Sequence, residues 1–168
     1  MSSSDEDEKM TFEELIEIFL SNKHNLAKPE NLFSVQKNKK LQRPARLEAL
    51  YSLEKTEQYF LRNYFTKNVK LADGIYIFII SADDPYTICC AKSARDANYH
   101  WYDSVDGHTS ISYRKLVRYA GTLSFQQGKL LMWSNASGHY KPPAEFRYLM
   151  LPYVRLLLPD YKFHALIF

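Results

Sequence analysis

The sequence predicts an α+β fold: N-terminal helices, then a mostly antiparallel sheet of about five to seven strands with a late covering helix. Three observations predict it. The chain holds 13 Tyr, 10 Phe and 2 Trp against only 5 Gly, which favours a sheet-containing core over a pure helix bundle. Apolar residues recur at helical spacing up to about residue 65 and then, after Asp73, in short aromatic and β-branched runs bounded by turn residues. Near the C-terminus, Pro142 and Pro143 open a second helical pattern. With 168 residues, 46% of them apolar and 24% charged, one packed domain is expected over residues 10–168.

Taken in order, residues 1–9 are acidic and Ser-rich and predict a disordered tail. Residues 1–17 carry seven acids against Lys9, a net of −6, which leaves 21 bases and 12 acids, +9, in the rest. Thr11 suits a helix cap with Glu14 as its box partner, and Phe12, Leu15, Ile16, Phe19 and Leu20 follow on one face, predicting a helix over 11–21. Residues 22–43 are sparse in apolar groups and predict a linker. Pro44 suits a first helical turn, and Leu47, Leu50, Tyr51, Tyr59, Phe60, Leu61, Tyr64 and Phe65 predict the longest helix, over 44–65. Residues 10–72 thus form a helical part and 73–168 a sheet module.

In that module the near-continuous apolar run 74–81 predicts a central strand buried on both faces, and Asp83, Asp84 and Pro85 turn it into a hairpin partner over 86–91. After a polar stretch, 92–106, strands are predicted over 108–112, 117–125 and 129–134, with Gln126, Gln127 and Gly128 as the turn between the last two. The covering helix should run over about 143–158, with Phe146, Leu149, Met150, Tyr153, Val154 and Leu157 buried and a kink or break at Pro152. Residues 161–168 alternate loosely and predict a final strand.

Composition narrows the function classes. No apolar run approaches the ~20 residues of a membrane span, and the acidic opening is unlike a Sec signal. A cytoplasmic protein is expected, with delivery into a host cell by a non-Sec route as the extension of that reading. Cys89 and Cys90 are adjacent and point to opposite faces of a strand, so no disulfide between them is expected. Basic residues are scattered except for Lys37, Lys39, Lys40, Arg43 and Arg46, and without a docking motif they do not predict nucleic-acid binding. Dispersed histidines without Cys-x-x-Cys or His-Glu-x-x-His spacing predict no metal, and the absence of a Walker sequence or Gly-x-Gly-x-x-Gly leaves no cofactor expected.

The most specific string is Trp133-Ser134-Asn135-Ala136-Ser137-Gly138-His139-Tyr140-Lys141-Pro142-Pro143, leaving a strand and entering a helix. Such a corner offers backbone amides, a hydroxyl and an imidazole together, which suits an anion or a reacting carbonyl. Together with Ile75-Tyr76-Ile77-Phe78, His108-Thr109-Ser110, Ala120-Gly121 and Gly128-Lys129-Leu130, it resembles the C-terminal module of the plant IQ-motif calmodulin-binding proteins and of related bacterial and fungal proteins, some of them secreted effectors or toxin-associated. The resemblance covers roughly residues 74–160. The family has His-Ser-Ser where this chain has His108-Thr109-Ser110, and its usual Gly-rich stretch before Ala-Gly has no counterpart in residues 112–118. The resemblance implies a regulatory or stress-related module and no established reaction. Calmodulin binding itself is not expected. Residues 35–40 start like an IQ motif, but Leu41 stands where Gly is required, Arg46 falls one position late, and Pro44 would break the helix.

Two function classes follow. The first is an effector-like regulatory protein, important in virulence, that binds another protein, such as a host protein, through Trp101, Tyr102, Ser110, Tyr140 and Lys141; Trp101 and Tyr102 serve equally well as an inward-packed edge strand. The second is a small transferase or hydrolase using Ser137, His139 and His108. Against it, His139 suits a turn brace whose ring bonds backbone groups, the chain has no Gly-x-Ser-x-Gly elbow, and the cysteines sit in an apolar strand. A concave pocket holding both histidines distinguishes chemistry from scaffold.

Overall fold

A computed structural model describes residues 32–36, 39, 41–100 and 105–167, with Glu14 alone before them. The predicted tail, the helix over 11–21 and the aromatic pair Trp101 and Tyr102 lie outside the described residues, Glu14 excepted. The described chain forms one eight-stranded sheet: β1 (Tyr51–Lys55), β2 (Tyr59–Asn63), β3 (Val69–Leu71), β4 (Gly74–Ser81), β5 (Cys89–Lys92), β6 (Val117–Gln126), β7 (Lys129–Ser134) and β8 (Phe163–His164). Their spatial order is β3-β2-β1-β5-β4-β6-β7-β8, and every pairing is antiparallel except β7 with β8. Two short helices, α1 (His108–Ser112) and α2 (Pro152–Leu157), lie between strands. None of the described helices is long and apolar enough to cross a membrane.

The α+β class and the mostly antiparallel sheet agree with expectation, while the helix over 44–65 does not form. After a 3₁₀ turn at Leu47–Ala49 the chain makes the β1–β2 hairpin, in register Leu53↔Leu61. The buried residues of β2, Tyr59, Leu61 and Asn63, are spaced two apart, the strand period, and partly buried Phe60 between them filled out an apparent helical face. Asn63 makes the next turn: its Oδ1 accepts the Phe65 and Thr66 amides, and its Nδ2 donates to the Glu48 carbonyl.

Central β4 behaves as its continuous apolar run predicts, buried on both faces. Tyr76, Phe78 and Ile80 enter a core with Leu61, Tyr119, Leu123, Trp133, Leu151, Val154 and Leu157, while Ile77 and Ile79 enter a second with Leu50, Val105, Ile111, Val117 and Tyr140. Cys90 belongs to the first core and Cys89 to the second, both as free thiols, as alternation on β5 dictates.

The late covering helix is broken. Ala144–Leu149 is 3₁₀, Met150 and Leu151 are extended, and α2 restarts with Pro152 at its first turn, because a proline there forbids the preceding helical hydrogen bond. The restart turns Tyr153 outward, contrary to its predicted burial. The other face is covered by α1 and by the strap residues 33–36 and 41–50. Residues 108–112 were expected as a strand, yet all five are buried in a helix, which ends at Tyr113 and Arg114, both left-handed. The alternation of His108, Ser110 and Ser112 reflects burial all round rather than a pleat. The expected strand over 161–168 shortens to Phe163–His164, and its chain is pinned by buried Asn135, which donates to the Pro142 and Leu166 carbonyls and accepts the Leu166 amide.

Candidate functional site

On the α1 face, β4 and β6 pair Ile77 with Thr122, and these two side chains help line a cleft of about 360 Å³. Its walls come from four separate segments: Gln42 of the strap, Ser93 to Arg95 after β5, Val105 to His108 at the start of α1, and Ala136 to His139 after β7. Leu166 closes one side.

His108 is the best-defined polar group in it. Its Nε2 lies 2.6 Å from the carbonyl oxygen of Gly121. A carbonyl only accepts, so Nε2 carries the proton and Nδ1 is left as a lone-pair acceptor in the neutral ring. Burial lowers this imidazole, the Gly121 carbonyl opposes it and nearby His139 adds to the lowering, so that it is pushed down to about 4. The strand needs a glycine here: a Cβ on Gly121 would stand 1.8 Å from the Ser134 carbonyl oxygen and 2.8 Å from the Phe78 ring. Ala120-Gly121 therefore has a steric reason, the tight passage of β6 between β4 and the end of β7.

His139 reaches the same cleft from the opposite wall and is half-buried. Its position is fixed by the chain around it. The Tyr140 amide donates to Ser137 Oγ at 3.3 Å, the Lys141 amide to the Ser137 carbonyl at 2.8 Å, and the Gln36 amide to the His139 carbonyl at 2.7 Å. Ser137 lines the cleft but is only 3% exposed, so its hydroxyl acts as the brace of this turn.

The strap holds α1 in place. Gln42 Oε1 accepts the Thr109 amide and hydroxyl, Asp106 accepts the Arg43 amide and pairs with its guanidinium at 3.6 Å, and the Ala45 amide donates to the Ser110 carbonyl. Asp106 is thereby neutralised at the cleft edge. Arg95 stands on a turn fixed from below: buried Asp96 accepts the amides of Ile75 at 2.6 Å and Asn98 at 2.8 Å, and Ser93 Oγ accepts the Arg95 amide.

Of the residues singled out from sequence, His108, His139 and Ser137 therefore meet in one cleft, and Ser110, Tyr140 and Lys141 do not join them. Ser110 is fully buried and its Oγ has no partner among the described residues. Tyr140 is buried on the α1 face, away from the covering helix, with its hydroxyl bonded to Ser112 Oγ at 2.6 Å and donating to the Lys115 carbonyl at 2.7 Å. Lys141 is exposed and carries the left-handed φ of the corner, 47°, whereas Gly138 is not left-handed and a Cβ there meets nothing within 4 Å. Gln42 and Arg95 escaped notice: a glutamine in a polar linker and an arginine in a polar stretch carry no spacing signal. Among the described residues no group of three or more His, Cys, Asp or Glu is placed to hold a metal ion. No family model, curated protein or solved structure matches the chain.

Proposed function

We propose that the cleft is the site of a small hydrolase or transferase in which His108 and His139 exchange protons with the substrate. The observation that carries this reading is that both histidines line one concave site and that the Gly121 carbonyl fixes the His108 proton on Nε2. In the proposed step, Nδ1 of His108 takes the proton of a water or acceptor hydroxyl, whose oxygen forms a bond to the electrophilic centre. The bond to the leaving group breaks with its electron pair on the leaving oxygen, which takes a proton from the His139 imidazolium. Proton exchange with solvent restores both rings. Ser137 holds the corner, so the attacking oxygen comes from outside the chain.

The likeness of residues 74–160 to the module of the plant IQ-motif proteins and their bacterial relatives belongs to the same proposal. What supports it is convergence: the Nε2 of His108 from one motif bonds Gly121 of the second, and His139 of the third faces the same space. The test is turnover of chromogenic carboxylic and phosphoric esters by the full chain, by His108→Gln and by His139→Ala. Each variant should lose ~10²-fold or more at unchanged melting temperature, and equal turnover by all three proteins would overturn the reading.

A regulatory protein-binding reading keeps one specific support. Tyr148, Tyr153 and Leu156, on the 3₁₀ turn and α2, are 44%, 51% and 49% exposed on the face away from the sheet. Exposed tyrosines on two consecutive helical turns suit a partner protein, and delivery to a host cell would place such a partner there.

A further inference from the structure

We infer that the cleft binds the phosphoryl group of its substrate, with the Arg95 guanidinium as the recognising cation. This rests on the catalytic reading above and names its substrate class. The carrying observation is the charge layout. Arg43, Arg46, Arg62 and Arg147 each pair with a carboxylate, and Arg147 and Arg155 stack on aromatic rings. Arg95, on the cleft wall, has no ion pair or side-chain hydrogen bond among the described residues. Among the described residues the one carboxylate that lines the cleft, Asp106, is already held by Arg43. The unbalanced charge facing the cleft is therefore positive.

The turn that carries Arg95 is built to hold still. Asp96 is buried beneath it on two backbone amides, and Gly74 leaves room for that carboxylate, since a Cβ there would lie 2.3 Å from Asp96 Oδ2. The backbone that carries Arg95 is fixed in this way, and its exposed guanidinium offers a planar fork that matches an oxyanion. Donors also converge from three sides. Arg95 lies after β5, His139 after β7 and the Gln42 amide on the strap, where one of its two N–H groups is spent on the Asp106 carbonyl at 3.3 Å and the second remains. A tetrahedral phosphoryl group presents oxygens in three directions, whereas a planar carboxylate offers two.

The substrate charge also answers a difficulty within the cleft. His108 is held neutral by burial and by His139, which makes it a weak base in the empty site. A phosphoryl anion beside it favours the protonated ring and strengthens it as a base when substrate is present. The charged neighbours that act with it are His139, Arg95 and the Asp106–Arg43 pair.

The test uses the full chain labelled with nitrogen-15 and titrated separately with inorganic phosphate, phenyl phosphate and acetate. The amide resonances of Arg95, His108 and Gly138 should shift saturably with phosphate and phenyl phosphate and not with acetate. Phenyl phosphate binding tighter than inorganic phosphate would identify a monoester rather than the free ion as the natural occupant. Arg95→Gln should weaken both at least tenfold, and Arg95→Lys, which keeps the charge and loses the fork, should fall between. Equal shifts with acetate, or phosphate binding unaffected by Arg95→Gln, would overturn the inference. Loss of carboxylic ester turnover in His108→Gln together with absent phosphate binding would leave the catalytic reading standing and remove this one; phosphate binding with turnover indifferent to His108 would do the reverse.

Discussion

His108 Nε2 donates to the Gly121 carbonyl at 2.6 Å, so the orientation of an imidazole on a helix is set by the backbone of a strand. Residue 121 itself is a glycine because a Cβ there would run into the Ser134 carbonyl and the Phe78 ring.

Gly121→Ala should accordingly be severely destabilising. The added Cβ meets backbone, the Ser134 carbonyl, at 1.8 Å, and backbone between two paired strands yields little. A loss on the order of 3 kcal/mol or more is expected in urea unfolding. A change below about 1 kcal/mol would mean that β6 and β7 separate freely at this point.

Stability should fall on acidification in a defined window. His108 ionises at about 4 folded and near 6.5 as an ordinary histidine, so the unfolded chain binds the extra proton first as pH falls. The stabilisation is complete above pH 6.5 and declines between 6.5 and 4, the loss reaching about 3 kcal/mol by the lower end. Unfolding free energies measured across this range for the wild type and His108→Gln should diverge in slope, the variant lacking this component.

The Tyr140 hydroxyl bridges Ser112 and the Lys115 carbonyl, tying the corner after β7 to the end of α1. Tyr140→Phe should cost ~1–2 kcal/mol by leaving buried partners unmatched, and Tyr140→Ala about 3–5 kcal/mol through the cavity. A double-mutant cycle with Ser112→Ala isolates the side-chain bond, and additive effects would show that the two hydroxyls do not interact.

In the Ser137-to-Lys141 turn the strained residue is Lys141, not Gly138. Gly138→Ala should therefore stay within about 0.5 kcal/mol of wild type. Lys141→Gly should gain roughly 0.5 kcal/mol, the relief of left-handed strain less the entropy of an added glycine. Thermal melts of the two variants decide the assignment.

Both thiols should be inert in the native protein. Burial pushes Cys89 up to about 11 and Cys90 well above the usual range. Iodoacetamide at pH 8 should label neither cysteine until denaturant unfolds the chain, and fast labelling of either without unfolding would contradict this packing.

The sheet from Gly74 onward was legible because its runs match strand length and its turns carry Asp, Pro and Gly. The β1–β2 hairpin was not. Its connection, Thr56 to Gln58, has no glycine or proline, so the sequence carries no punctuation between Tyr51 and Tyr64. Residues 108–112 misled in the opposite way, because a short helix buried all round has no polar face from which to read a period. At the site, the histidines stood out by residue type and Gly121 by its motif. Gln42 and Arg95 act through position in space, which only the sheet order supplies.

That order contains an uneven seam. β4 and β6 are matched over eight residue pairs, but β1 joins β5 through two, Tyr51↔Cys90 and Ser52↔Cys89. Beyond the seam, β1 to β3 are held by their own ladder, by Leu53, Tyr59 and Leu61 in the main core, and by ties such as the Tyr59 hydroxyl on the Leu157 carbonyl. The chain thus divides into cooperative units of different depth. The β1–β3 meander should open sub-globally at lower free energy than the β4–β6–β7 centre, its amides exchanging with solvent deuterium sooner. The Gly121 carbonyl and His108 lie on the late-exchanging side, so the cleft keeps its geometry while the meander breathes.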